Sequence, residues 1–207
     1  NKYGSYIDID DESTSPKGHI YISKLNSDGD KQWSKLRGNS DLVLGESITS
    51  GNDGSIYITG TAYFYREGQT YFDLDTYETK PLLLRDAFLE KLDSDGIVLW
   101  SKLLGAERYA GGHALVTDTN GNIYQAGYIQ TGANGEVKID GEKYSREHTE
   151  DDWHSTFDAF VSKFDDSGSR EWIKLIGTPF EGYREGDDYA NDIAIHDDSI
   201  YLVGTID

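Results

Sequence analysis

The chain contains no cysteine, no methionine and only 3 prolines, and it carries half as many basic as acidic residues. Without cysteine there are no disulfide staples and no thiolate metal sites. Without methionine there is no readily oxidised sulfur. Both absences suit a bacterial protein that is secreted or held at the cell surface. Few prolines beside 23 glycines, with no run of either, exclude a collagen-like chain or a low-complexity linker. The 19 basic residues against 38 acidic ones leave a net charge of −19. Such a surface repels nucleic acid and anionic membranes, because phosphate contacts need Lys or Arg to displace counterions. It favours divalent cations or basic partners instead. No apolar segment approaches the length of a signal h-region or a membrane span. The first residue is Asn, so the chain reads as processed or as cut from a longer one.

What is present is repetition. HIYISKLNSDGDKQWSKLRG from His19 recurs as DAFLEKLDSDGIVLWSKLLG from Asp86 and DAFVSKFDDSGSREWIKLIG from Asp158. A second segment follows each: GESITSGNDGSIYITG from Gly45, GHALVTDTNGNIYQAG from Gly112 and ANDIAIHDDSIYLVG from Ala190. Trp33, Trp100 and Trp172 align, as do Gly60, Gly127 and Gly204. The interval is roughly 65 to 77 residues, and its variation falls in connecting inserts.

Each segment has the pattern of a hairpin. Phe88, Glu90 and Leu92 alternate with Leu89 and Lys91, the period of a strand. Asp95-Gly96, Asp53-Gly54 and Asn120-Gly121 supply the left-handed position that a tight turn needs. Tyr, Ile and Thr between these turns are good strand formers. Two hairpins make four antiparallel strands, which predicts one four-stranded sheet per repeat, with repeats at 1–60, 61–127 and 128–207. The fold class expected is all-β. At their fixed place in every copy, the three tryptophans are expected to pack one sheet on the next.

Asp158 to Trp172, Gly186 to Ile195 and Ile200 to Gly204 resemble the bacterial seven-bladed β-propeller repeat family, and the other two copies share the pattern. The first copy departs from it, carrying Gly18-His19-Ile20 where the others have Asp-Ala-Phe. The third has Asp197-Asp198-Ser199 in place of the Asn-Gly turn. The resemblance implies propeller-type blades and a scaffold role. Three blades do not close a ring that takes 4 to 8. The chain is then a segment of a larger propeller, a protomer that self-associates through its terminal blades, or an open solenoid.

Candidate sites lie mostly in the inserts. Asp8 and Asp10, and likewise Asp73 and Asp75, are two apart, so on a strand each pair faces one side roughly 7 Å apart. Asp140 repeats the motif with one carboxylate missing. Such pairs fit a calcium ion if backbone carbonyls complete its shell, or a charged edge that discourages aggregation. His148 and His154 lie with several carboxylates and Trp153 in one acidic loop, suited to a transition metal, to a protein partner or to stacking on a carbohydrate. Leu82, Leu83 and Leu84 form an apolar run that either covers a sheet edge or meets a partner. No catalytic set emerges: there is no G-x-S-x-G elbow, no H-E-x-x-H and no phosphate-cradling glycine loop. The sequence therefore points to a non-catalytic scaffold for binding, adhesion or assembly. A fibre or surface-layer protomer and a carbohydrate-binding or hydrolytic propeller are its rivals.

Overall fold

A computed structural model of the chain describes residues 20–37, 42–64, 68–72, 75–79, 84–132, 136–145, 156–177 and 186–206. These residues are all-β and contain no helix. They form sixteen strands: β1 (Ile20–Leu25), β2 (Lys31–Arg37), β3 (Val43–Ser50), β4 (Ile56–Phe64), β5 (Gly68–Phe72), β6 (Asp75–Thr79), β7 (Leu84–Leu92) and β8 (Val98–Leu103) in the first half; then β9 (Ala110–Thr117), β10 (Ile123–Gln130), β11 (Glu136–Ile139), β12 (Glu142–Ser145), β13 (Phe157–Phe164), β14 (Arg170–Ile176), β15 (Tyr189–His196) and β16 (Ser199–Thr205). Two antiparallel four-stranded sheets have the orders β3-β4-β7-β8 and β9-β10-β13-β14. Two-stranded sheets β1-β2 and β15-β16 flank them in sequence, and the inserts form the small hairpins β5-β6 and β11-β12.

The hydrogen-bonded sheet is offset by one hairpin from the sequence repeat. β1-β2 and β3-β4 belong to one repeat yet lie in different sheets, and the boundaries expected at 60/61 and 127/128 pass through β4 and β10. The reason is physical. β5 and β6 pair with each other, which leaves β4 beside β7 over nine residues, from Ile56↔Leu92 to Phe64↔Leu84. β10 pairs with β13 in the same register, Gly127↔Phe160 matching Gly60↔Phe88.

The register agrees with the alignment of the first copy from His19 with Asp86 and Asp158, and it corrects only the placing of Gly18-His19-Ile20 against Asp-Ala-Phe. Lys24↔Trp33, Lys91↔Trp100 and Lys163↔Trp172 are equivalent pairs. It follows that Tyr21 (opposite Leu36), and not Ile20, corresponds to Phe88 (opposite Leu103) and Phe160 (opposite Leu175).

The outer hairpins share one turn chemistry. Asp93 Oδ1 accepts from the amides of Asp95 and Ile97, both at 2.9 Å, and Asp165 Oδ1 does the same from Ser167 and Ser169. Asn26 plays this part in the β1-β2 turn. A short side chain that folds back on its own backbone stabilises the turn without tertiary help. The turn then ends on a left-handed glycine and a bulge, the usual three-residue hairpin.

Apolar layers fill the gaps between sheets. Ile20 and Ile22 of β1 pack with Ile58, Phe88 and Leu92 of the next sheet, while Trp33 closes the edge. Tyr57, Leu89, Leu115, Ile123 and Phe164 join the two four-stranded sheets, and Ala126, Val161 and Ile193 seat β15-β16. One buried polar bridge crosses the central gap: Gln125 Nε2 donates to Thr59 Oγ1 at 2.7 Å and to the Phe88 carbonyl at 2.9 Å. A buried amide satisfied in this way favours one relative position of the two sheets.

Candidate functional site

Asp8, Asp10, Asp73, Leu82, Leu83, His148, Trp153 and His154 lie outside the described residues. Asp75 opens β6 and Leu84 opens β7. Asp140 occupies the β11-β12 turn in the left-handed region, with φ at 50°. Its Oδ2 accepts from Arg170 at 2.6 Å, and the same guanidinium reaches the Leu104 carbonyl at 3.1 Å. Asp140 thus ties an insert hairpin to a four-stranded sheet. Among the described residues, no three His, Asp or Glu side chains converge in a metal-holding group.

The repeated tryptophans mark the seams. The indole of Trp33 lies over Gly96 in the β7-β8 turn of the next sheet, where a Cβ would stand 2.7 Å from the ring. Trp100 lies in the same way over Gly168 of the β13-β14 turn, and its Nε1 donates to the Asp166 carbonyl at 3.3 Å. Lys91 adds a charged clasp at this seam. Its ammonium bonds Asp166, sits 3.2 Å from Asp53 Oδ2 and lies 5.4 Å from the Tyr57 ring centre. The Tyr57 hydroxyl donates to Asp166 Oδ1 at 2.8 Å. The backbone and hydroxyl of Ser55, more than Lys91, hold Asp53 down at about 2. Burial acts to lower the Lys91 pKa, yet bonds to Asp166, Tyr57 and Asp53 outweigh it and leave the ammonium well above its ordinary value.

Sequence reasoning missed a second cluster. The Arg85 guanidinium sits 4.9 Å from the Tyr109 ring centre, 5.6 Å from Tyr128 and 5.7 Å from Phe157. Tyr128 meets Phe157 and Tyr189 edge-on, each at 5.3 Å, and His113 at 5.0 Å. Strands β7, β9, β10, β13 and β15 contribute, so no local pattern announces the group. The guanidinium is stacked on aromatic faces, where a cation is attracted by the ring electrons.

A cleft of about 560 Å³ opens between the β9-β10 and β15-β16 turns, lined by Asp118, Asn120, Tyr124, Lys163, His196 and Asp197 among others. At the preceding seam, Asn52 Nδ2 bridges to the carbonyls of Asp118 and Thr119. The shortened Asp197-Asp198 turn contributes to the opening.

The two-stranded sheets expose positions that are buried in the complete ones. Tyr201 corresponds to Tyr57 and Tyr124 and is 56% exposed, against 1% and 8%. Tyr21 is 66% exposed, whereas Phe88 and Phe160 are both 0% exposed. Val203 and Ile206 on the β16 side are likewise exposed.

No family model matches the chain. Residues of this chain are similar to the regulatory protein FlaEY of Caulobacter vibrioides, with 28% identity over 176 residues. That similarity covers 85% of this chain and 17% of FlaEY.

Proposed function

We propose that the chain is a non-catalytic, propeller-type repeat scaffold that works outside a bacterial cell or on its surface, holding its inserts for binding, adhesion or assembly. One observation carries this reading: two four-stranded sheets of the same order and register are locked to each other by buried contacts, while the β5-β6 insert pairs with itself. A frame of this kind tolerates change where an insert leaves the paired strands on both sides intact, as between β4 and β7, whereas the β11-β12 insert buries Val137 and Ile139 in the core of the second sheet. The lack of cysteine and methionine and the strongly acidic composition support an exported setting. A binding frame also suits the one word of function in the relative's name, regulatory.

The test follows from the β4-β7 register. Phe64 pairs with Leu84, so residues 65–83 can be replaced by a short hairpin turn. The shortened chain should keep its β circular dichroism and a cooperative melt. Loss of the fold would show that the insert is part of the frame. Calcium titrated into the intact chain should produce a binding isotherm that the shortened chain loses in part, if Asp73 and Asp75 hold a cation.

The exposed positions on β1 and β16 favour a second reading, a protomer that joins others through its terminal half-sheets. A sedimenting species of monomer mass supports the binding frame, and an open-ended series of masses supports the protomer. The carbohydrate reading rests on Trp153, and a glycan screen without binding removes it.

A further inference from the structure

Among the described residues β16 has no neighbour beyond β15, and β1 has none beyond β2. These are complementary halves. β15-β16 corresponds to the inner pair β9-β10, and β1-β2 corresponds to the outer pair β13-β14. We infer that β1 of a second copy of this chain adds to the free edge of β16, completing a four-stranded sheet of order β15-β16-β1-β2 across two molecules. The inference rests on the second reading above, the protomer, and gives its joint residue by residue.

The two complete sheets dictate the register. Ile56↔Leu92 and Ile123↔Phe164 transfer to Ile200↔Leu25, Tyr57↔Lys91 and Tyr124↔Lys163 to Tyr201↔Lys24, and Gly60↔Phe88 and Gly127↔Phe160 to Gly204↔Tyr21. Each transferred pair answers an exposure. Tyr21 would take the place in which Phe88 and Phe160 are 0% exposed. Gly204 offers the same flat backbone as its equivalents: a Cβ there would lie 1.9 Å from the Tyr189 carbonyl oxygen, as one at Gly60 would lie 1.8 Å from that of Leu44. Lys24 would reach the Tyr201 ring as Lys91 and Lys163 reach Tyr57 and Tyr124.

A second contact, remote from the edge, agrees. Trp33 and Trp100 each lie over a turn glycine of the following sheet, Gly96 and Gly168. Trp172 continues this series, and the equivalent glycine of the incoming hairpin is Gly29. Space around Gly29 is open, with no atom within 4 Å of a Cβ built on it. One placement of the second copy therefore satisfies both the strand edge and the indole. An exposed strand edge with apolar side chains is a ready template for such pairing.

The absence of native cysteine gives a clean test. Chains carrying only Ser23→Cys are mixed with chains carrying only Leu202→Cys, the pair that corresponds to Ile58↔Glu90 and Gln125↔Ser162. Mild oxidation should yield the mixed disulfide, whereas Ser23→Cys with Ile200→Cys, two residues out of register, should yield at least about tenfold less because the Cα separation exceeds bridging range. Tyr21→Lys supplies the second arm. That side chain is already exposed in the single chain, so the variant should melt like the wild type, yet remain monomeric where the wild type associates. Cross-linking indifferent to register, or a wild type that stays monomeric at every concentration, overturns the pairing. A monomeric wild type would favour the binding frame, whereas cross-linking indifferent to register in a chain that still associates would overturn this pairing alone; the frame itself is tested separately by replacement of residues 65–83.

Discussion

Trp100 rests on Gly168: the indole of one sheet covers a left-handed turn glycine of the next, with φ at 80°, and donates its Nε1 to the Asp166 carbonyl at 3.3 Å. Trp33 repeats the relationship on Gly96, where φ is 72°. Each contact uses the glycine twice, once for the turn and once for the flat surface.

Gly168→Ala and Gly96→Ala should accordingly cost more than an alanine at an open turn. Gly54 has φ of 82° and no atom within 4 Å of a built Cβ, so Gly54→Ala should show only the left-handed penalty, about 1–2 kcal/mol. At Gly96 the added methyl also meets the Trp33 ring at 2.7 Å, which should add about 1 kcal/mol or more of overpacking. Denaturant midpoints of the three variants check the order.

Gly60 and Gly127 sit opposite bulges where backbones nearly touch. A Cβ would lie 1.8 Å from the Leu44 oxygen and 2.0 Å from the Gly111 oxygen. Backbone cannot step aside as a side chain can, so Gly60→Ala and Gly127→Ala are predicted to destabilise by about 3 kcal/mol or more. Chemical denaturation measures this; a loss below that of Gly54→Ala would contradict the close approach.

Asp86 is buried and accepts from the Gly105 amide at 2.9 Å through Oδ2. Burial outweighs that bond and others from the backbone and pushes the carboxyl up to about 7. A folded-state value above the unfolded one means that its stabilising contribution is complete below about pH 4 and is lost as pH rises towards 7. Asp86→Asn removes the titration and should flatten this part of the stability profile, leaving the variant as stable as the wild type, or more stable, at pH 8. Equilibrium unfolding at pH 5 and pH 8 compares the two slopes.

The clasp at Lys91 has the opposite sign. Asp53, at about 2, and Asp166, also lowered, contribute stability that is present above about pH 4 and lost as pH falls through their folded values. Ser55→Ala removes the hydroxyl bond to Asp53 but keeps the larger contribution of the backbone amide, so it should raise Asp53 only in part and shift the acid loss accordingly. Lys91→Met should act more through Asp166, for which Lys91 is the leading cause. Both carboxylates are more than half exposed, so solvent screening keeps each effect to about 1 kcal/mol at neutral pH. Acid titration followed by tryptophan fluorescence reads the midpoints.

Local chemistry makes much of this protein legible in its amino-acid order alone. Alternation from Phe88 to Leu92, the Asp93 and Asn26 side chains folding over their own turns and the glycines that end those turns all act within a few residues. Hairpins follow from them directly. The regular recurrence of Trp33, Trp100 and Trp172 likewise points to a repeated seam.

Which hairpins share a sheet is a different matter. A hairpin has two edges, and nothing inside β3-β4 says whether β2 or β7 will lie beside it. That choice depends on the β5-β6 insert pairing with itself, on the common core of Ile58, Phe88 and Leu92, and on the close approach at Gly60. The gathering of Arg85, Tyr109, Tyr128 and Phe157 is tertiary for the same reason: strands distant in sequence must first be placed side by side. Sequence determined the strands, their turns and their recurrence. Only the packing of one apolar face on another decided their phase.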